Sequence, residues 1–429
     1  MQDIRFADGQ LTLIDNIRDH KEEIYQTDKN RVVREVIKRD GTRSRTTLNY
    51  EEESASRDDA ERYDLAWLKR RTPPKTKKSG SPLRLADMFC GCGGLSLGIF
   101  EACRALNLSI ESVLAADVVP EYLEVYGKNF HPAFCESRPI ESFVDSPIGT
   151  VLSKNERGLK KLVKQVSILV GGPPCQGNSD LNNYTRRNDP KNSLFGKMAR
   201  LAQILDPEHV IIENVPGVRH DKGRIFDTTI AELQKLGYRV DAVTIYAEKV
   251  GVPQRRHRTF VLASHSTPLT EGSLDKAIDA YFVPERSVQW ACEDLLDIED
   301  DSAFNGTTEF SEESKKRVDW LFDNDKYDLP DRLRPDCHRT KAHTYTSVYG
   351  RLYWNRPAWT ITTGFPVMGQ GRFIHPIRRR MITPHEAARI QFIPDYFEFG
   401  ERSRKEYAKM IGNAVPPKLS YVVALELLR

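Results

Sequence analysis

The sequence lacks the features that mark secreted and membrane proteins. No apolar run approaches the roughly 18 residues that a membrane span needs, and residues 1–5 show no basic-then-apolar signal pattern. The seven cysteines are an odd number and include no CxxC pair, which disfavours a disulfide framework and a zinc site. We therefore expect a cytoplasmic protein with no metal site and no membrane partner.

A strong excess of charge of one sign is also absent. The 429 residues carry a formal net charge of +3, which neither requires nor excludes a nucleic-acid partner, so the distribution of charge is the better guide. Residues 69–80 are basic and contain prolines, whereas residues 293–331 are strongly acidic. The basic segment is either a solvated hinge or an arm that contacts phosphates.

Residues 1–80 are polar, and we treat them as an N-terminal extension and linker of unclear function. Residues 31–37 and 46–50 are predicted to pair as a hairpin across Asp40 and Gly41. Residues 63–68 are predicted to form a short helix.

From Leu83 the sequence alternates between strand and helix patterns. Strands are predicted at 84–89, 112–117, 166–170, 209–213, 240–246 and 258–263, and helices at 94–105, 121–130, 197–205 and 225–236. This alternation predicts an α/β fold with a doubly wound, mostly parallel, Rossmann-like sheet. The alternation is lost between residues 266 and 345.

Residues 171–177 (GGPPCQG) directly follow one of the predicted strands. Two glycines and two prolines force a sharp turn, so Cys175 should lie at the end of the sheet where ligands bind in open α/β folds. A buried cysteine beside a structural turn is the alternative interpretation.

Residues 89–94 (FCGCGG) follow the first strand and open a helix. Glycines there let the backbone approach a ligand, and the helix N-terminus offers free N–H donors. Asp117 ends the next predicted strand, where a carboxylate can accept from ribose hydroxyls. These features predict a site for a nucleoside-containing cofactor, although a purely structural turn would have the same pattern.

Glu213 ends the apolar strand pattern 209–213. Burial there would raise its pKa, so that it could hold or donate a proton near neutrality; a structural ion pair is the alternative. Arg256 and Arg258 alternate at the start of another strand, and we expect their guanidinium groups to face one site and bind a phosphate or a base carbonyl.

In these motifs the chain resembles the cytosine-C5 DNA methyltransferases. Residues 83–429 contain the matching segments in the family's usual order: 87–95, 172–177, 213–215, 254–258, 372–376 and 411–417. The resemblance implies a Rossmann-like methyltransferase sheet, with S-adenosylmethionine as the methyl donor and double-stranded DNA as the partner.

The resemblance also assigns roles to the residues. Cys175 would add to C6 of a cytosine flipped out of the duplex, and Glu213 would bind its exocyclic amine and N3. Arg258 would hold the base carbonyl, and Arg256 would help to position the base and backbone.

Further contacts follow from the same resemblance. The implied cofactor contacts are Phe89, Gly91, Gly93, Leu95, Asp117, Val118, Asn413 and Val415, with the last motif folding back beside the first. The implied DNA contacts, on a mobile loop at 176–192, are Gln176, Gly177, Ser179, Arg186 and Arg187.

The sequence departs from the family mainly in its recognition region. We divide the rest of the chain into a catalytic and cofactor-binding domain at 81–285, a short variable region at 286–348 and a C-terminal part at 349–429 that completes the catalytic domain. The acidic part of the variable region should repel phosphates and read DNA poorly. Recognition is therefore shared with residues 1–80 or a partner protein, unless a small recognition domain suffices.

Two alternatives remain beside a DNA methyltransferase. One is a tRNA cytosine-C5 methyltransferase with the same chemistry, and the other is a catalytically silent DNA-binding regulatory subunit, which the intact Cys175, Glu213 and Arg258 disfavour. A bacterial or phage restriction–modification setting, with a cognate restriction endonuclease or a specificity partner, fits a chain of this size.

Overall fold

The structure is a computed structural model that describes residues 23–50, 58–75, 80–174, 193–298, 300, 302–336 and 348–429. The predicted nucleophile Cys175 and the predicted DNA contacts lie outside the described residues. These contacts are Gln176, Gly177, Ser179, Arg186 and Arg187.

The N-terminal extension forms a three-stranded antiparallel sheet and a helix. Its elements are β1 (Glu23–Asp28), β2 (Arg31–Ile37), β3 (Arg43–Asn49) and α1 (Asp59–Leu68). The predicted hairpin is confirmed, because Asp40 Oδ1 accepts from the backbone N–H of Thr42 and Gly41 takes a φ of +78° between β2 and β3. Helix α1 begins earlier than predicted because the side chain of Asp58 caps it by accepting from Glu61 N.

A seven-stranded sheet forms the centre of the molecule, in the order β6-β5-β4-β7-β8-β11-β9. These strands are β4 (Leu83–Met88), β5 (Ile110–Ala116), β6 (Cys135–Glu136), β7 (Ile168–Gly171), β8 (His209–Asn214), β9 (Arg239–Tyr246) and β11 (His257–Ser264). A separate parallel pair joins β10 (Gln254–Arg255) to β12 (Ala358–Trp359). The predicted mostly parallel sheet is confirmed.

Strand β11 is the exception, since it runs antiparallel to both β8 and β9. A parallel return needs a crossover of roughly a dozen or more residues, usually a helix. Between β9 and β11 the chain offers only a short 3₁₀ turn (Ala247–Val250), a left-handed Gly251 and β10. The two strands therefore pair as neighbours in opposite directions.

Helices cover both faces of the sheet. After α1 they are α2 (Gly94–Ala105), α3 (Pro120–Phe130), α4 (Lys154–Val163), α5 (Ser193–Leu205), α6 (Ile225–Lys235), α7 (Ser273–Asp279), α8 (Val288–Cys292), α9 (Glu312–Asp323), α10 (Pro384–Ile390), α11 (Arg404–Asn413) and α12 (Pro417–Leu428). Helix α4 was not predicted, although its Ser153–Glu156 capping box is visible in the sequence. Among the described helices, none is long and apolar enough to cross a membrane.

Alternate residues of the central strands supply two separate cores. Ile168 and Ile211 face the cluster that contains α2 and α12, whereas Leu169 and Ile212 face the cluster that contains α5. Both clusters are apolar, as a doubly covered sheet requires.

The N-terminal extension packs against α2 and α12 through buried charges. Arg34 is 2% exposed, bonds Glu101 Oε1 at 2.9 Å and lies over the rings of Tyr63 and Tyr421. Its guanidinium thus joins the extension to a helix of the catalytic core.

Asp64 in α1 makes a second buried connection. It bonds Lys418 Nζ at 2.9 Å and pairs with Arg286, so it links α12 to the start of the variable region. Lys69, at the beginning of the basic linker, lies 3.6 Å from Asp294. The described part of the extension is therefore an integral layer of the fold.

The acidic segment pairs with arginines of the C-terminal part. The pairs are Asp294–Arg389, Asp297–Arg378, Asp319–Arg379, Asp323–Arg379, Asp325–Arg351 and Asp328–Arg372. The prediction that this segment reads DNA poorly stays a prediction, but arginines distant in sequence partly neutralise these carboxylates. These pairs link the variable region to the C-terminal part, and because the carboxylates are largely exposed each pair contributes little to stability.

Candidate active site

The turn that leads to Cys175 lies against Glu213 at the carboxyl ends of β7 and β8. Gly171 pairs with Ile212 across the two strands. A Cβ on Gly172 would lie 3.1 Å from Glu213 Oε2, and the side chain of Asn214 donates to Pro173 O at 3.2 Å. The chain therefore enters the predicted nucleophile motif directly beside the glutamate.

Glu213 and Arg258 form a buried ion pair at this edge. Glu213 is 7% exposed, and its Oε1 lies 2.7 Å from Arg258 Nε. Burial raises the pKa of Glu213 above its ordinary value, although Arg258 and then Arg256 act in the opposite direction. Glu213 is thus poised to hold a proton at higher pH than an exposed glutamate, as the sequence predicted.

Arg256 does not share the position of Arg258. It is 3% exposed, and its Nη1 donates to Ile361 O at 2.9 Å while both Nη atoms donate to Gly412 O. The prediction that Arg256 binds a ligand together with Arg258 stays a prediction, because Arg256 donates to main-chain carbonyls and also lies close enough to Glu213 to lower its pKa. Its contacts instead tie the start of β11 to the last motif.

The turn between β4 and α2 is held in an unusual backbone conformation. Phe89, Gly91 and Gly93 all have positive φ angles, of 57°, 52° and 101°. A Cβ on Gly93 would lie 2.2 Å from the ring of Phe130, so a side chain is excluded there. A left-handed Phe89 is strained, and such strain often marks functional turns.

Asp117 fastens this turn to the end of β5. Its Oδ2 accepts from Gly91 N at 2.9 Å and its Oδ1 from Val119 N at 3.0 Å. Burial raises the pKa of Asp117, and the backbone donors lower it. Val118 beside it is 60% exposed, which places an apolar surface next to the carboxylate.

Asp87 is a buried acid of the same region that the sequence analysis did not single out as a functional group. It is fully buried, and Ser96 donates to its Oδ2 at 2.6 Å while lying 2.8 Å from the hydroxyl of Tyr126. Its Oδ1 has no hydrogen-bond partner among the described residues. Burial raises the pKa of Asp87 to about 8. A carboxylate near the end of β4, between Ala86 and Met88, was the available signal.

The last motif lies beside the first, as predicted. A Cβ on Gly94 would lie 2.5 Å from Val415 O, and one on Gly98 would lie 2.0 Å from Pro417 O. Leu95 is buried at the start of α2, and Asn413 donates to the hydroxyl of Tyr122 at 3.3 Å. The described cofactor candidates therefore form one continuous group.

These residues fit an adenosine-containing methyl donor. Asp117 at the end of β5 keeps lone pairs that can accept from a ribose, and the exposed Val118 offers an apolar surface for a base. Among the described residues, no group of three or more His, Cys, Asp or Glu side chains could hold a metal ion.

Comparisons with known proteins agree with this geometry. Residues 83–429 match the model of the C-5 cytosine-specific DNA methylase family. The Type II methyltransferase M1.BsuMI of Bacillus subtilis is 44% identical over 415 residues, with 96% of each chain covered. The Type II methylase M.HgiDII of Herpetosiphon aurantiacus is 31% identical over 359 residues, covering 80% of this chain and 94% of the relative.

A solved structure has the same fold. A protein described as a DNA modification methyltransferase, encoded within an Escherichia coli prophage, superimposes with a TM-score of 0.56 at 22% identity. The match covers 80% of this chain and 98% of that one.

Proposed function

The chain belongs to the C-5 cytosine-specific DNA methylase family and is a DNA cytosine-5 methyltransferase; from this premise we propose that it methylates C5 of a flipped-out cytosine in duplex DNA. The observation that carries the proposal is the Glu213–Arg258 pair beside the turn at 171–174. This pair offers a proton carrier and a cationic donor where the family's nucleophile motif begins. A base inside a duplex cannot reach such a site, so the cytosine is extruded.

Cys175 acts as the nucleophile in this proposal. Its thiolate adds to C6 of the cytosine, which makes C5 electron-rich, and it leaves again when the C5 proton is lost. The support is the motif at 172–177 and its entry beside Glu213.

Glu213 and Arg258 bind the base during the addition. Glu213 accepts from the exocyclic amine and supports protonation at N3, for which its raised pKa is suited. Arg258 donates to the base carbonyl and keeps Glu213 oriented through their 2.7 Å contact. Arg256 acts as a positioning residue through its bonds to Ile361 O and Gly412 O.

S-adenosylmethionine, when bound, supplies the electrophilic methyl group. Gly91, Gly93, Asp117, Val118, Asn413 and Val415 would hold it, with Phe89 and Leu95 shaping the turn. These residues bind and orient the donor and exclude water from the reacting atoms.

The cellular role that we propose is protection of DNA in a bacterial or phage-encoded restriction–modification system. Both curated relatives described above carry Type II in their names. The variable region at 286–348 would read the target sequence, and a cognate endonuclease would cut the same site when it is unmethylated.

The test is transfer of labelled methyl from S-adenosylmethionine to mixed-sequence duplex DNA, with the product mapped at base resolution. Label at C5 of cytosine that is lost in Cys175→Ala supports the mechanism and reveals the target sequence. A parallel assay with tRNA identifies the acceptor. Label in tRNA and none in DNA would refute the proposed substrate.

A further inference from the structure

Two buried glutamines join residues 254–258, which we call the base-binding strand, to the last motif at 411–417. Gln254 and Gln391 are both 0% exposed. Gln254 Nε2 donates to Gln391 Oε1 at 2.7 Å, and Gln254 Oε1 accepts from Ile361 N at 2.7 Å. A buried amide without hydrogen-bond partners would lower the stability of the fold. These hydrogen bonds therefore fix the orientation of both amides.

The amide of Gln391 accepts a hydrogen bond from Gln254 and donates hydrogen bonds to the last motif. Gln391 Nε2 donates to Ile411 O at 2.5 Å and to Ala414 O at 3.3 Å. Gln391 must therefore accept on one atom and donate from the other. Glutamate of the same size cannot donate when it is ionised, and methionine cannot donate and accepts only weakly.

The glutamine pair connects the two halves of the site. Residues 411–415, which we call the cofactor segment, contain Asn413 and Val415, and Val415 O contacts the start of α2 at Gly94. Gln254 begins β10, which leads directly into β11 and its second residue, Arg258. The cofactor segment and the base-binding strand are thus joined by side-chain amides.

The position of Gln391 is itself tightly fixed. It caps α10, where its N–H bonds Ala387 O, and the next residue, Phe392, has a left-handed φ of 62°. This conformation is strained for a residue with a side chain. Stacking of the Phe392 ring against Trp67 at 5.4 Å and Trp290 at 6.4 Å holds it in place.

We propose that Gln391 is a positioning residue for methyl transfer, whose amide holds the cofactor segment in register with the base-binding strand. The inference rests on the proposed function, because it requires S-adenosylmethionine to bind beside residues 411–415. It assigns a role to a residue outside the motifs that carry the chemistry. The consequence is that cofactor affinity depends on an amide that need not touch the cofactor.

Gln391→Glu tests the role because it keeps the shape and replaces the donor by an acceptor facing the carbonyls of Ile411 and Ala414. Direct titration of the DNA-free protein with S-adenosylmethionine should show a dissociation constant raised roughly ten-fold or more, the cost of an unsatisfied buried hydrogen bond. The KM for S-adenosylmethionine should rise in parallel, while the KM for DNA stays within about two-fold. Gln234→Glu, an exposed helical site with the same charge change, should match the wild type.

Gln391→Met is the second variant, since it buries no charge and should fold even if Gln391→Glu does not. It should also weaken S-adenosylmethionine binding. Unchanged binding in folded Gln391→Met overturns the proposal, because a buried carboxyl in Gln391→Glu can protonate and keep a donor whereas methionine cannot. An equal rise of both KM values, which general loosening would produce, also overturns it. A wild-type protein that binds no S-adenosylmethionine refutes the cofactor site, whereas normal wild-type binding with unchanged variants refutes this inference alone.

Discussion

At the scale of single residues, burial gives Glu213 a chemistry that an exposed glutamate lacks. Burial raises its pKa, while Arg258 at 2.7 Å keeps the carboxylate oriented. The same contact explains why a carboxylate can lie at the end of an apolar strand, because a buried carboxylate without a partner would strongly destabilise the fold. In the proposed mechanism, one pair therefore both carries a proton and satisfies a buried charge.

Glu213→Gln should lower kcat by about 10²–10⁴, the usual contribution of a positioned acid or base. The amide can still accept from Arg258, so the variant should fold, but its melting temperature should be lower because Arg258 loses its charge partner. Steady-state kinetics and a thermal melt measure the two effects. Glu271→Gln, on the surface, is the control, and a Glu213→Gln enzyme within two-fold of wild-type kcat would contradict the role.

Asp87 predicts a pH dependence of stability. Burial raises its pKa from 3.8 to about 8, so the folded state binds more protons than the unfolded state between these values. Its contribution is fully present below pH 3.8 and is lost as pH rises through 8. Thermal melts of Asp87→Asn should lack this loss, so the stability difference between wild type and variant should change steadily from pH 4 to 8. A difference in melting temperature between wild type and variant that stays constant from pH 4 to 8 would contradict the assignment.

At the scale of elements, the contact between α2 and α12 places the last motif beside the first. A Cβ on Gly98 would meet Pro417 O at 2.0 Å, Ser420 Oγ at 2.1 Å and Tyr421 N at 2.6 Å. Backbone atoms on the partner helix cannot move aside cheaply. The close approach of the two helices therefore requires glycine.

Gly98→Ala should destabilise the protein by about 1–3 kcal/mol or more through overpacking. It should also weaken S-adenosylmethionine binding, because Val415 precedes α12. Gly127→Ala in α3 is the matched control: a Cβ there meets nothing within 4 Å, so a gain of about 0.5–1 kcal/mol is expected. Urea unfolding measures both, and a Gly98→Ala protein as stable as the control would contradict the packing argument.

Elements with strong local patterns were predictable from the sequence, and those set by distant partners were not. Helix α2 occupies the predicted 94–105 because a glycine turn precedes an apolar helical pattern. The reversal of β11 had a signal in the sequence, namely the short connection after β9. Helix α4 had one too, namely Ser153 three residues before Glu156. The burial of Arg256 had none, since its partners Ile361 and Gly412 are far away in sequence.

The same division applies to the candidate site. Glu213, Arg258 and Asp117 stand at strand ends, so local patterns and the family resemblance located them. Gln391 is joined to Gln254 across more than a hundred residues, and only the folded chain brings the two amides together. Buried polar networks of this kind have no sequence period.

At the scale of the whole molecule, the N-terminal extension braces the catalytic core and the variable region together. Asp64 bonds Lys418 and pairs with Arg286 in a buried cluster. The relative from Bacillus subtilis aligns over 96% of the chain, whereas the family model begins at residue 83, so the alignment includes much of this extension. Deleting the extension would remove this cluster and expose the apolar surface that Val32, Trp67 and Leu68 cover, so loss of DNA binding in a deletion variant would not separate a DNA contact from a loss of stability.

Charge reversal in the linker is therefore a cleaner test of a DNA-contacting role than deletion. The linker follows Leu68, whose carbonyl accepts from Asp395 N. Its first residue, Lys69, lies 3.6 Å from Asp294 of the variable region. Arg71 and Lys75 of the linker are exposed. If both contact phosphates, Arg71→Glu/Lys75→Glu should weaken DNA binding and reduce the slope of log affinity against log salt by about one per contact. Lys160→Glu/Lys161→Glu, on the exposed face of α4, is the matched control. Equal DNA affinity and equal salt slopes in the two double variants would show that the linker is a hinge and leave recognition to residues 286–348.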